Sequence, residues 1–188
     1  EGHVDPSEIQ AAIQPHTRLL VVNHCSNVTG TVQPLAPLAA MARVHNLLML
    51  VDASQSCGTF PINVEAMPID MLAAPGHKGL LGPQGTGFLY LNKKTKIRPL
   101  KQGGTGSRSE ELRQPELIPD AYECGTQNIH GLAGLKAGID FIRQVEMEAI
   151  RDRENQWVRK LLEGLSVIPG VQLFGPPARE VRGSVVSF

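Results

Sequence analysis

The chain has 188 residues, 41% of them hydrophobic, which is enough to fold around a core and argues against an intrinsically disordered protein. Its 18 basic residues balance 18 acidic ones, so a nucleic-acid-binding protein that relies on bulk positive charge is not predicted. No apolar run approaches the roughly 20 residues that a membrane-spanning helix needs, so no membrane partner is predicted either.

The first elements alternate between helix and strand signals. Ser7 can cap a short helix that runs through Ile13 and is stopped by Pro15. The apolar run 18–23 predicts a strand, and the small polar residues of 26–31 predict a loop after it.

The next elements repeat this alternation. A helix is expected to begin after Pro34 and to end at Asn46. Residues 47–51 form a continuous apolar run of the kind that is buried on both faces of a parallel sheet. Two further strands are predicted at 69–74 and 87–91, the latter as the antiparallel member. This order predicts right-handed βαβ units and an α/β fold with a mostly parallel sheet.

The second half of the chain is polar at first and helical later. Residues 93–123 are rich in turn formers and predict a long surface segment. Two helices are expected over 128–145 and 148–165, and short strands at 171–174 and 184–188.

Polar side chains follow three of the predicted strands, at the ends where open parallel sheets bind ligands. They are Asn27, then Asp52, then His77 with Lys78. A lysine amine can form a Schiff base with an aldehyde cofactor such as pyridoxal 5'-phosphate, whose ring nitrogen needs a carboxylate partner. Gln55 or Asn27 could donate a hydrogen bond to the phenolic oxygen of that ring.

Glycine-rich stretches supply candidates for the cofactor's phosphate. Backbone amides in such loops bind anions, and Thr105, Ser107 or Thr126 would add hydroxyl donors.

The cysteines indicate the compartment. Cys25, Cys57 and Cys124 are odd in number and widely spaced, so no disulfide framework is predicted and a reducing cytoplasm is expected. No cluster at zinc-ligand spacing occurs, so no metal site is predicted.

Five stretches resemble, in chain order, the class V aminotransferase family, and most closely its cysteine desulfurase branch. They are HCSNVTGTVQP (24–34), DASQSCGTFPINV (52–64), APGHKGLLGPQGTGFLYL (74–91), GGTGS (103–107) and YECGTQN (122–128). The GHKGLLGPQGTG segment with DASQ upstream is highly specific, whereas GGTGS alone would be weak.

The resemblance implies a fold-type-I pyridoxal-phosphate enzyme, whose large domain is a three-layer α/β structure with a mostly parallel sheet. Residues 1–145 would form part of this cofactor-binding large domain. Residues 146–188 would form a linker helix and the start of the small C-terminal domain. Family members are roughly twice as long, so the chain is expected to be a fragment that lacks the family's N- and C-terminal parts.

The resemblance also implies roles by position. Lys78 would form the Schiff base, and Asp52 would pair with the pyridine nitrogen. Gln55 and Asn27 would contact the phenolic oxygen, and His77 would help to hold the phosphate.

Thr126 would reach the phosphate of the cofactor in the neighbouring subunit, because the family forms homodimers with sites at the interface. One position departs from the family pattern. Pro75 stands where many relatives carry a serine that bonds the phosphate, and proline has neither a hydroxyl nor a backbone N–H.

The implied reaction removes sulfur from L-cysteine to give alanine, by way of a lysine aldimine, and can pass the sulfur to an acceptor protein. The family's nucleophilic cysteine and substrate-binding arginine would lie beyond this chain, so none of its three cysteines is assigned that role. The activity of the fragment itself is left open. The alternatives are a pyridoxal-phosphate-dependent aminotransferase, a selenocysteine lyase and a non-catalytic truncated domain. A nucleotide-binding Rossmann domain is disfavoured, since no GxGxxG follows the first strand.

Overall fold

A computed structural model of the chain describes residues 2–104, 107 and 110–188. Within these residues, four strands form one sheet and four helices accompany it. The strands are β1 (Leu19–Asn23), β2 (Leu48–Asp52), β3 (Met71–Pro75) and β4 (Gly87–Leu91). The helices are α1 (Pro6–Ala12), α2 (Leu35–Val44), α3 (Ile129–Val145) and α4 (Met147–Ser166).

The sheet has the order β1-β2-β3-β4. The first three strands are parallel to one another, and β4 pairs antiparallel with β3. The predicted α/β class with a mostly parallel sheet is therefore confirmed, and so is the antiparallel position of residues 87–91. The third strand begins two residues later than predicted, at Met71.

The ends of the first two helices show which local signals were correct. The N-cap of α1 is Asp5 rather than Ser7, because Asp5 Oδ1 accepts a hydrogen bond from Ser7 N at 2.8 Å. The prediction that Ser7 caps this helix was wrong. The end of α2 is as predicted, since Asn46 follows it with a φ of 54°, in the left-handed region that terminates helices.

The short strands predicted at 171–174 and 184–188 do not form. The structure has only isolated bridges there, between Phe174 and Ser187 and between Arg182 and Thr31. The prediction failed because the two segments, separated by Pro176, meet at one bridge only, while Arg182 between them bridges to Thr31 in the loop after β1.

One face of the sheet holds the main core. Val22, Met49 and Val51 point to this face and are at most 7% exposed. They pack with the apolar side of α2 in one cluster. Side chains alternate between faces along a strand, so Leu19 and Val21 lie on the opposite face, where they are 43% and 58% exposed. Within the described residues, helices therefore cover one face of the sheet.

Helix α3 packs on the loop between β3 and β4, residues 76–86. Leu80 of this loop forms a small cluster with Leu135 and Ile142 of the helix. Gly138 permits the close approach, since a Cβ there would lie 2.5 Å from Leu80 O. Helix α3 therefore supports this loop by packing against it.

Two glycines inside helices test this packing. Gly138→Ala should lower the free energy of unfolding by about 2 kcal/mol, because the added methyl meets backbone that cannot move freely. Gly164 in α4 has open space around it. Gly164→Ala should therefore raise that free energy by about 0.5–1 kcal/mol through helix propensity alone. Chemical denaturation of both variants measures these changes. An increase in the free energy of unfolding of Gly138→Ala would contradict the close packing.

Candidate active site

The carboxyl ends of the parallel strands meet at one edge of the sheet, as the sequence predicted. Asn23 and Asp52 are register partners at the ends of β1 and β2. Beyond them, His24 N donates to Asp52 O at 3.0 Å, and Ala53 N donates to Ala73 O at 2.9 Å. Asp52 therefore stands at the middle of this edge, between the ends of the neighbouring strands.

Asp52 borders an open cleft of about 510 Å³, within the usual size of small-molecule sites. Its Oδ1 accepts a hydrogen bond from Ser54 N at 2.9 Å, which fixes the orientation of the carboxylate. Pro75 and Phe88 line the same cleft. Of the predicted site residues, Asp52 alone lines it, and Lys78 follows Pro75 by three positions. The half-buried carboxylate and this space fit a flat heterocycle with a basic nitrogen.

The turn after β2, which carries Gln55, touches the loop that carries Lys78. A Cβ on Gly58 would overlap Gly79 O, and a Cβ on Gly79 would overlap Cys57 O. The two backbones therefore lie against each other at this point. The structure thus brings the segments of Gln55 and Lys78 together, although no contact joins those two side chains.

The Lys78 loop is closed by its own backbone. Gly76 N donates to Thr86 O at 2.8 Å, and Gly82 N donates to Gly76 O at 2.7 Å. The side chains of His77 and Lys78 are exposed at the turn of this loop. The backbone of the loop is therefore held in place while the Lys78 side chain is open to solvent, an arrangement that suits the binding of an aldehyde.

Asn27 lies at the tip of the loop after β1, and its side chain is exposed. The loop is a tight hairpin in which Ser26 N donates to Thr31 O at 2.9 Å. The Ser26 hydroxyl accepts from the backbone N–H groups of Val28 and Thr29, both at 3.1 Å. The structure places this loop at the same edge of the sheet as Asp52, but no contact joins Asn27 to the other site residues.

The glycine-rich stretches predicted for phosphate binding meet each other. Gly125 N donates to Gly103 O at 3.1 Å, which joins the two stretches next to Thr126. Thr126 is exposed, and its role at the cofactor of another subunit stays a prediction. Ser107 is exposed, and Thr105 lies outside the described residues.

Two features of the site escaped prediction. The contact of Gly58 with Gly79 depends on segments far apart in sequence, although the two glycines themselves were visible signals. The second feature is a group of side chains at the end of β1, where His24 is 6% exposed and its ring is T-shaped to that of Phe60, with 6.0 Å between the centroids. The guanidinium of Arg151 covers Phe60 at 4.6 Å from the ring centroid. This stack ties helix α4 to the edge of the sheet.

Among the described residues, no group of three or more His, Cys, Asp or Glu side chains could hold a metal ion. None of the helices in the described part of the chain is long and apolar enough to cross a membrane. A larger cavity, of about 900 Å³, lies among residues 93–122 and borders none of the predicted site residues.

Burial makes His24 a source of acid sensitivity. Desolvation lowers the pKa of His24 from 6.5 to about 4 in the folded protein. The unfolded chain therefore takes up the proton first as the pH falls below 6.5, and folding stability is lost between that pH and about 4.

We expect the free energy of unfolding to fall, between pH 7 and pH 5, by about 2 kcal/mol more in the natural protein than in His24→Met. Denaturant titrations at the two pH values measure this difference. Equal pH dependence in the two proteins would show that His24 does not titrate as its burial requires.

A parallel-strand edge with a cleft, a carboxylate and an exposed amine on a rigid loop is typical of an α/β enzyme that binds a small organic group. Comparison with known proteins identifies which kind. The family model for aminotransferase class V matches residues 1–188, so the chain belongs to the class V aminotransferase family of enzymes.

The individual relatives are cysteine desulfurases or similar proteins. The chain is 39% identical, over 180 residues, to a probable cysteine desulfurase of Methanothermobacter thermautotrophicus, covering 94% of this chain and 45% of that protein. Its fold matches the apo cysteine desulfurase of Thermococcus onnurineus NA1 with a TM-score of 0.87 and 35% identity, over 100% of this chain and 48% of that one.

The fold also matches SspA, whose structure was solved in complex with cysteine, with a TM-score of 0.63 and 30% identity. That match covers 74% of this chain and 37% of SspA. The chain spans about half the length of the curated relatives it matches.

Proposed function

We propose that the protein is a pyridoxal 5'-phosphate-dependent cysteine desulfurase, of which this chain forms the cofactor-binding core. The observation that carries the proposal is the Asp52 carboxylate, which borders a cleft of about 510 Å³ beside the segment that leads to Lys78. The similarity to cysteine desulfurases supports it. We also propose that residues 1–145 belong to the large domain and that 146–188 begin the small one.

Asp52 is the residue that we assign to the ring nitrogen of the cofactor. A carboxylate in a partly desolvated cleft favours a protonated, positively charged partner nitrogen. The hydrogen bond from Ser54 N holds one carboxylate oxygen in place, and the residue lines the cleft. When bound, the cofactor supplies an electron sink for breaking bonds next to the substrate's amino group.

Lys78 is assigned to hold the cofactor covalently and then to move the proton at the substrate's Cα as a general acid and base. The amide groups of Gln55 and Asn27 would donate to the ring oxygen. His77 would help to hold the phosphate in the same subunit, and Thr126 would do so in a homodimeric partner. These groups would orient the ring so that the reacting bond faces the Lys78 amine.

The proposed substrate is L-cysteine, because SspA, which this chain resembles, was solved with cysteine bound. The proposed product is alanine, and the sulfur would pass to an acceptor protein. All three cysteines of the chain are free thiols, which supports the proposed cytoplasmic location. Burial raises the pKa of the Cys25 and Cys57 thiols, which makes both poor nucleophiles and supports leaving the sulfur-accepting role unassigned here.

The covalent role of Lys78 can be tested by absorbance. The full-length protein mixed with pyridoxal 5'-phosphate should develop a visible band, and Lys78→Ala should lose it. Lys94→Ala, at an exposed position away from the cleft, is the matched control and should keep the band. A band of unchanged intensity in Lys78→Ala would refute this assignment.

The charge of Asp52 gives a second test. Asp52→Asn keeps the shape but removes the negative charge, and it should weaken cofactor binding by about tenfold or more. Asp140→Asn, on the exposed surface of α3, should leave the dissociation constant unchanged. Equilibrium titration followed by fluorescence measures both. Equal affinity of Asp52→Asn and the natural protein would remove Asp52 from the site.

A further inference from the structure

The loop that carries Asn27 is held by the C-terminal segment, residues 171–188. Three consecutive backbone carbonyls of the loop, directly after Asn27, accept hydrogen bonds from this segment. The pairs are Ser187 Oγ to Val28 O, Arg182 Nη2 to Thr29 O (3.4 Å) and Gly183 N to Gly30 O (2.7 Å). The tip of the loop therefore rests on a part of the chain about 150 residues away.

Arg182 is the centre of this contact, and it is only 4% exposed. Besides Thr29 O, its guanidinium donates to Val185 O at 2.6 Å and to Pro176 O. One side chain thus joins the loop to two separate parts of the C-terminal segment. Hydrogen bonds from a charged, planar guanidinium are stronger and more directional than those between neutral groups.

The loop has few other restraints near its tip. Its own hydrogen bonds close the hairpin at Ser26, Gly30 and Thr31, and at its base His24 N donates to Asp52 O of β2. The side chain of Asn27 is exposed, and no hydrogen bond to the described residues fixes it. Beyond this base, the direction in which Asn27 points relative to Asp52 depends on how the tip of the loop rests on the C-terminal segment.

We infer that Arg182 is a positioning residue for the cofactor site: it locks the Asn27 loop onto the C-terminal segment and so sets where the Asn27 amide meets the ring oxygen. This inference rests on the proposed function, since it assumes that Asn27 contacts the cofactor. It assigns a role at the cofactor site to a residue that lies outside the strand-end loops. It also implies that correct seating of the C-terminal segment is required for tight cofactor binding.

The test compares Arg182→Met, which removes every donor, with Arg182→Lys, which keeps the charge and one donor group. Arg179→Met is the control, because Arg179 lies on the same segment but is exposed. Asn27→Ala is the reference for loss of the amide. In the full-length protein, two quantities are measured: the dissociation constant of pyridoxal 5'-phosphate and the pH at which the bound cofactor's visible absorbance changes.

Arg182→Met should raise the dissociation constant by about tenfold, the effect of losing one charge-assisted hydrogen bond network. It should also shift the absorbance midpoint in the same direction as Asn27→Ala, and Arg182→Lys should restore part of both. The double variant Asn27→Ala, Arg182→Met should be no worse than the more affected single variant, because both act through one contact. Arg179→Met should match the natural protein.

A readout without cofactor completes the test. Hydrogen exchange at the amides of Val28 and Thr29 should accelerate in Arg182→Met and less in Arg182→Lys. If Arg182→Met does not fold, Arg182→Lys is compared with Arg179→Met instead. Weaker cofactor binding in Arg182→Lys than in Arg179→Met would support the inference, and equal binding would contradict it.

Additive effects in the double variant, or an absorbance midpoint equal to that of the natural protein, would overturn the inference while leaving the proposed function intact. Failure of the natural protein to bind the cofactor would overturn the proposed function itself, and this inference with it.

Discussion

The candidate site depends on one steric constraint, the direct backbone contact between Gly58 and Gly79. A side chain on either residue would push the turn after β2 away from the loop after β3. With both glycines in place, the segment of Asp52 and Gln55 and the segment of Lys78 share one edge of the sheet. Parallel topology brings the strand ends to this edge, and the glycine contact closes the remaining gap between the loops.

The supports of this edge come from distant parts of the chain. Helix α3 packs under the Lys78 loop through Leu135 and Gly138, and helix α4 reaches the edge through the stack of Arg151 on Phe60. The C-terminal segment holds the loop of Asn27. A site assembled in this way would lose its geometry if any one support moved, even though the supports carry no reacting group. Substitutions far from the cleft are therefore expected to act on cofactor binding.

Much of the fold could be predicted because its signals are local. Continuous apolar runs marked the buried strands, Asn46 marked the end of α2, and residues 87–91 were correctly expected to be antiparallel. The strands predicted at 171–174 and 184–188 were wrong, since the two segments meet at a single bridge between Phe174 and Ser187. The bridge of Arg182 to Thr31 is a long-range contact that an apolar run does not encode. The position of Asp52 at the cleft followed from strand order alone. The contacts of Arg182 could not be predicted from sequence, because they join three carbonyls that only the folded chain brings together.

We propose that the amine of Lys78 and the carboxylate of Asp52 serve one cofactor ring. The most direct measurement is reduction with borohydride after incubation with pyridoxal 5'-phosphate, followed by mass spectrometry of the peptides. We expect a phosphopyridoxyl group on the peptide that contains Lys78, at a level that falls sharply in Asp52→Asn. Modification spread over the exposed lysines, or the same level on Lys78 in both proteins, would contradict it.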